Sequence, residues 1–127
     1  DLDAMADAAK GAGLIFVDNP NNPTATLHDG DAMGAFIDRV MTESEAVILI
    51  DEAYHDYVMD PAYRSEITRA VRNKRILVAR TFSKAHGMAG MRIGYGIAPP
   101  HLIELMNRVR QPFNCNLVAQ AAAQGPL

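Results

Sequence analysis

Four short apolar runs limit what this chain can fold into. They occupy residues 14–17, 46–50, 75–79 and 93–98, and the first three lead into polar clusters while Pro99-Pro100 ends the fourth. Runs this short and rich in Ile, Leu and Val read as strands, buried on both faces, rather than as helices. The intervening segments carry helical spacing instead. Strands alternating with helices predict a three-layer α/β/α fold around an open, mostly parallel sheet, with at least one unpaired edge.

The helical expectations follow from caps and periodicity. Leu2, Met5, Ala6 and Ala9 share a face of a helix over residues 1–10, stopped by Gly11 and Gly13. Asp29 or Asp31 caps a helix to about residue 41, with Met33, Phe36, Ile37 and Val40 inward. Pro61 opens a third helix to about residue 73, with Ile67, Ala70 and Val71 inward. Pro99-Pro100 opens a fourth to about residue 110, with Leu102, Ile103, Leu105 and Met106 apolar. Asn114 or Asn116 caps a last helix through residue 123.

Composition removes several function classes. Twelve basic against 15 acidic residues leave a formal charge of −3, so nothing electrostatic argues for nucleic acid or an anionic membrane. No apolar run approaches the roughly 20 residues of a membrane span. The single cysteine, Cys115, forms no internal disulfide and suits a reducing, cytoplasmic setting. No His/Cys/Asp cluster has metal-ligand spacing, and no Gly-rich nucleotide motif follows a strand. The opening Asp1-Leu2-Asp3 and the ending Gly125-Pro126-Leu127 read as a piece cut from a longer chain.

The chemistry gathers after three of the strands. In a parallel sheet the carboxyl ends of the strands share one rim, and ligands bind there. Asn19-Pro20-Asn21-Asn22-Pro23-Thr24 follows the first strand, Asp51-Glu52-Ala53-Tyr54 the second, and residues 81–92, Thr-Phe-Ser-Lys-Ala-His-Gly-Met-Ala-Gly-Met-Arg, the third. Each cluster alone reads equally well as a polar turn. Together they offer a carboxylate, Asp51, for a protonated heteroaromatic nitrogen, and Tyr54 and Asn22 as partners for a phenolate oxygen. Lys84 is an amine able to form an imine once desolvation lowers its proton affinity. Arg92, Ser83 and Thr81 are suited to a phosphate. A pyridine nitrogen, a phenolate, an aldehyde and a phosphate together describe pyridoxal 5'-phosphate.

These motifs, in this order and spacing, resemble the class I/II aminotransferases of pyridoxal-phosphate fold type I. The likeness is greatest to the histidinol-phosphate subgroup, to which Arg110-Gln111-Pro112-Phe113-Asn114 and the Ala-rich run near residue 121 add. The resemblance covers nearly the whole chain and about a third of a complete enzyme. It implies that residues 1–127 are a segment of the cofactor-binding large domain. It implies Lys84 as the lysine that forms the aldimine and later moves the substrate Cα proton. Asp51 would keep the pyridine nitrogen protonated, Tyr54 and Asn22 would partner the ring phenolate, and Arg92, Ser83 and Thr81 would hold the phosphate. It further implies a homodimer in which a small-molecule amino donor, histidinol phosphate, passes its amino group to 2-oxoglutarate.

Two other readings stay open: another enzyme of the same scaffold (an aromatic aminotransferase, a decarboxylase or a C–S lyase), or a non-catalytic ligand-sensing domain. Ala25 departs from the family pattern, which has Gly after Pro-Thr; a positive φ there adds strain. His86 stands where an aromatic residue is common and reads as packing or as a polar group on the substrate side. Glu52 and Asp56 read as surface or capping groups, His55 as solvent-facing, Tyr57 as packing, Asn19 and Asn21 as turn formers, and Cys115 as a small apolar filler.

Overall fold

The computed structural model describes residues 1–125. Helix α1 spans Leu2–Ala8, followed by strand β1, Leu14–Asp18. Helix α2 is Gly30–Glu43, strand β2 is Val47–Asp51 and helix α3 is Ile67–Ala70. Strand β3 is Ile76–Thr81 and strand β4 is Gly94–Ile97. Helices α4, Pro100–Val109, and α5, Leu117–Ala123, complete the fold. The strands lie in the order β1-β2-β3-β4; the first three are parallel and β4 is antiparallel to β3.

Local chemistry accounts for most boundaries. The Asp29 carboxylate accepts from the amides of Asp31 and Ala32 at 2.9 and 2.7 Å, satisfying two free donors at the start of α2. Asn116 does the same for α5 by accepting from Ala119 N at 2.8 Å. Gly11, at φ +81°, turns the chain out of the first helix where a side chain would be strained.

The third helix is much shorter than its Pro61 signal predicts. Asp60 accepts from Ala62 N at 2.9 Å in a side-chain turn that competes with a helix. Ser65 and the Glu66 amide both bond to Glu52, so the preceding residues serve packing at the strand ends. Val71, expected inward, is exposed.

The core lies on one face of the sheet. Ile15, Val17, Ile48, Ile50, Ile76 and Val78 meet Met33, Phe36, Ile37 and Val40 of α2, together with Ala6, Ala9 and Ala70. Ile37, Ile48 and Ile76 are fully buried. The expectation that each strand is buried on both faces fails for β1, where Leu14 is 60% and Phe16 55% exposed. On the opposite face Met106 of α4 approaches β4, at the far edge of the sheet from β1. A Cβ added to Gly96 would lie 3.5 Å from Leu77 Cδ1 and 4.0 Å from Met106 Cε, which locates that helix above the sheet's far edge.

Strand β4 is antiparallel because residues 82–93 form no crossover helix. A parallel return needs such a crossover, whereas an antiparallel one needs only a turn. Within this loop Gly87 N donates to Lys84 O at 2.9 Å and Met88 N to Phe82 O at 3.0 Å. Gly94 is required where β4 begins: a Cβ there would lie 2.6 Å from the Arg80 carbonyl oxygen. Among the described residues no helix is long and apolar enough to cross a membrane.

Candidate active site at the carboxyl rim of the sheet

Alternation along the strands sorts the rim into two rows. Register pairs Asp18 with Asp51, and Asp51 with Ala79. Side chains at every second position share a face. Asp18, Asp51 and Thr81 therefore continue the open face of Phe16, Leu49 and Ala79. Asn19, Glu52 and Arg80 continue the covered face of Val17, Ile50 and Val78.

On the open row the three sequence clusters meet. Asn22 Nδ2 donates to the Tyr54 hydroxyl at 3.2 Å, joining the first cluster to the second. The Lys84 ammonium sits over the Tyr54 ring, 5.0 Å from its centroid, joining the second to the third. Arg92 Nη1 lies 3.4 Å from Ser83 Oγ and donates to Ala89 O at 2.8 Å. Thr81 Oγ1 accepts from Ser83 N at 3.0 Å and donates to Ile93 O at 3.4 Å, so its hydroxyl braces the loop.

The backbone is strained beside these groups. Arg92 has φ +55° and Ala25 φ +56°, a left-handed conformation that costs about 1–2 kcal/mol for a residue with a Cβ. The strain expected at Ala25 is present. Its turn closes through Ala25 N to Asn21 O at 2.8 Å and Asn21 N to Thr26 O at 2.9 Å.

The charges are tuned by place. Burial pushes the Asp51 carboxyl above the ordinary aspartate range; the Ala53 amide, 2.9 Å away, opposes this and Asp18 reinforces it. Lys84 is exposed, and the Tyr54 hydroxyl raises its proton affinity above that of a free lysine. The desolvated, easily deprotonated lysine expected from sequence is therefore not what stands here: an open rim leaves the ammonium solvated and beside an acceptor.

The covered row holds what sequence reasoning misread or missed. Glu52 is 2% exposed rather than a surface group. Its carboxylate accepts from Arg80 at 2.8 and 3.0 Å, Ser65 Oγ at 2.8 Å and Glu66 N at 2.7 Å. Asn19, also 2% exposed, accepts from His28 N at 2.9 Å and donates to His28 O at 3.1 Å. The signal was present in the pairs Asp18-Asn19, Asp51-Glu52 and Arg80-Thr81, since adjacent strand residues point to opposite faces. His55 also departs from its solvent-facing expectation: its Nδ1 is 3.2 Å from the Tyr63 hydroxyl and its ring packs on Tyr63. The His86 ring packs at a tilt against Phe82, 5.2 Å between centroids, while remaining exposed.

A cleft of about 410 Å³ adjoins the open row and is lined by Asn22, Leu27, Tyr54, Tyr57, Val58 and Met59, among others. It shares Asn22 and Tyr54 with the rim; Asp51, Lys84 and Arg92 stand outside it.

Fold and rim together define an α/β protein with a lysine-bearing site at its strand ends. Residues 1–126 match the family "Aminotransferase class I and II", and the chain belongs to that family, whose fold type I architecture it shares. It is 48% identical, over all of its length, to histidinol-phosphate aminotransferase 1 of Cupriavidus pinatubonensis (strain JMP 134 / LMG 1197), covering 34% of that protein. It is 47% identical over 97% of its length to an aromatic amino acid aminotransferase of Mycobacterium avium (strain 104), again covering 34%. The crystal structure of histidinol-phosphate aminotransferase from Sinorhizobium meliloti in complex with pyridoxal-5'-phosphate superposes with a TM-score of 0.86 at 30% identity, over 97% of this chain and 33% of that one. The chain thus spans about a third of the length of the curated relatives it matches.

Proposed function

We propose that the intact protein is a pyridoxal-phosphate-dependent aminotransferase and that residues 1–127 are a segment of its cofactor-binding large domain. The meeting of three strand-end clusters at Tyr54, with Asn22 at 3.2 Å and Lys84 at 5.0 Å, carries this reading. The donor set fits the cofactor group by group. Asp51 is a half-buried carboxylate whose raised proton affinity suits a cationic ring nitrogen as partner. Tyr54 and Asn22 present a hydroxyl and an amide to one ring oxygen. Arg92 and Ser83 present donors to a phosphate.

When bound, the cofactor supplies an electron-withdrawing ring able to accept the electron pair left at substrate Cα. The chain's residues do the rest. Asp51 would hold the ring nitrogen in its protonated form through its carboxylate. Lys84 would supply the amine for covalent attachment and would carry the proton taken from substrate Cα.

The amino donor we propose is histidinol phosphate and the acceptor 2-oxoglutarate, in a cytoplasmic homodimer. The relatives named for histidinol phosphate support this reading, and the aromatic relative of nearly equal identity supports a second, an aromatic amino acid as donor. Comparing kcat/KM for histidinol phosphate and phenylalanine on the intact protein separates them. The test of the site is to mix the intact protein with pyridoxal phosphate, reduce with borohydride and map the modified lysine. The expected label is on Lys84. In Lys84→Ala the label disappears and transamination falls at least about 100-fold. Labelling at Lys10 or Lys74 with Lys84 unmodified overturns the assignment.

A further inference from the structure

Asp18 has no part in the function proposed above, yet it stands in the same row. It closes β1 as Asp51 closes β2, and the two are direct partners in the parallel ladder. Like charges side by side are unfavourable, so a carboxylate at this place needs compensating contacts. Asp18 has them on one side only. Its Oδ2 accepts from the backbone amide of Asn22 at 3.1 Å and lies 3.4 Å from Asn21 Nδ2.

The Asn22 contact matters because of what Asn22 does next. Its side-chain amide donates to the Tyr54 hydroxyl at 3.2 Å, and Tyr54 lies under Lys84. Other bonds of this turn anchor its far side: Asn21 N to Thr26 O, Ala25 N to Asn21 O and Thr24 Oγ1 to Asn21 Oδ1. Asp18 is what ties the Asn22 amide itself back to the sheet. A strand-end carboxylate gripping a backbone amide is charge-assisted and directional, so it fixes where the next side chain points.

We propose that Asp18 is a positioning residue, which holds the Asn22 backbone so that the Asn22 side chain meets Tyr54 at the cofactor's ring-oxygen position. The proposal rests on the site reading given above. Its charge has a second consequence in the same place: it adds to the burial that raises the Asp51 carboxyl.

Two variants of the intact protein separate tether from charge. Asp18→Asn keeps an acceptor at the same position and removes the charge; Asp18→Ala removes both. Amide hydrogen exchange at Asn22, without cofactor, reads the tether directly. The dissociation constant of pyridoxal phosphate, from its visible absorbance, reads the site. Asp18→Ala is expected to speed Asn22 exchange and weaken cofactor binding, each by about tenfold, the effect of losing one charge-assisted hydrogen bond. Asp18→Asn is expected to restore most of both.

An unprotected Asn22 amide in the unaltered protein overturns the proposal without any variant. Unchanged exchange and affinity in Asp18→Ala overturn it as well. Equal losses in both variants assign the effect to charge and overturn the positioning role. If exchange follows the expected pattern while the unaltered protein binds no pyridoxal phosphate, the tether to Asn22 stands and the cofactor reading fails.

Discussion

The two rows at the sheet's rim are one residue apart in sequence and opposite in physics. Asp51 and Glu52 are both carboxylates at the end of β2. Asp51 faces the open side, carries one backbone hydrogen bond at 2.9 Å and is pushed up by burial without a cation to offset it. Glu52 faces the covered side, is 2% exposed and is saturated by Arg80, Ser65 and the Glu66 amide. Among the described residues no buried side-chain nitrogen or oxygen lacks a partner. The covered row is thus complete as it stands, and the open row is left under-satisfied. On the proposed reading, a bound cofactor's ring nitrogen would supply the cation that Asp51 lacks, while Glu52 already has its own in Arg80.

The strongest way to break the comparison is to open the covered row. Glu52→Ala strands the Arg80 guanidinium, whose side chain is 15% exposed, together with Ser65 and the Glu66 amide. Removing one partner of a buried pair costs about 3–5 kcal/mol. Chemical unfolding of the intact protein is expected to show a loss of that size; a loss below about 1 kcal/mol would show that the row is no brace.

The open row responds in the opposite direction. Because burial raises Asp51, the folded protein binds that proton more tightly than the unfolded chain does. The associated stability is complete below the unfolded aspartate value and is lost as pH rises through the raised folded value. Asp51→Asn escapes that loss. Without cofactor it is expected to be more stable than the unaltered protein at neutral pH, the difference closing in acid, while pyridoxal phosphate binding is lost. Melting curves across pH check the sign, and a variant less stable at pH 7 would refute it.

The smallest effect sharpens the contrast at the backbone. Ala25 holds φ +56° in the turn that presents Asn22. Ala25→Gly relieves the left-handed strain at some cost in unfolded-chain entropy, for a net gain of about 0.5–1 kcal/mol. A shift of the unfolding midpoint to lower denaturant would contradict it.

Sequence alone carried much of this, for identifiable reasons. Asp29 and Asn116 act as the helix caps their residue types announce, and Met33, Phe36, Ile37 and Val40 turn inward as their spacing requires. Those are local properties of a helix. The joining of Asn22, Tyr54 and Lys84 was legible because each follows a strand, and strand ends share a rim. Misreadings came where distant packing overrode local signals. Pro61 did not open a long helix because residues 65 and 66 are drawn to Glu52. Glu52 read as a surface group because its partner Arg80 lies 28 residues away.

What the sequence determined by itself is the set of elements, the α/β alternation and the residues brought to one rim, since periodicity and strand-end chemistry are short-range. The tertiary structure decided which way each strand-end residue faces and the antiparallel return of β4. It also decided the covering of one face of β1 but not the other. These depend on register and on which helix lies over which strand, and both are settled only when segments far apart in the chain pack together.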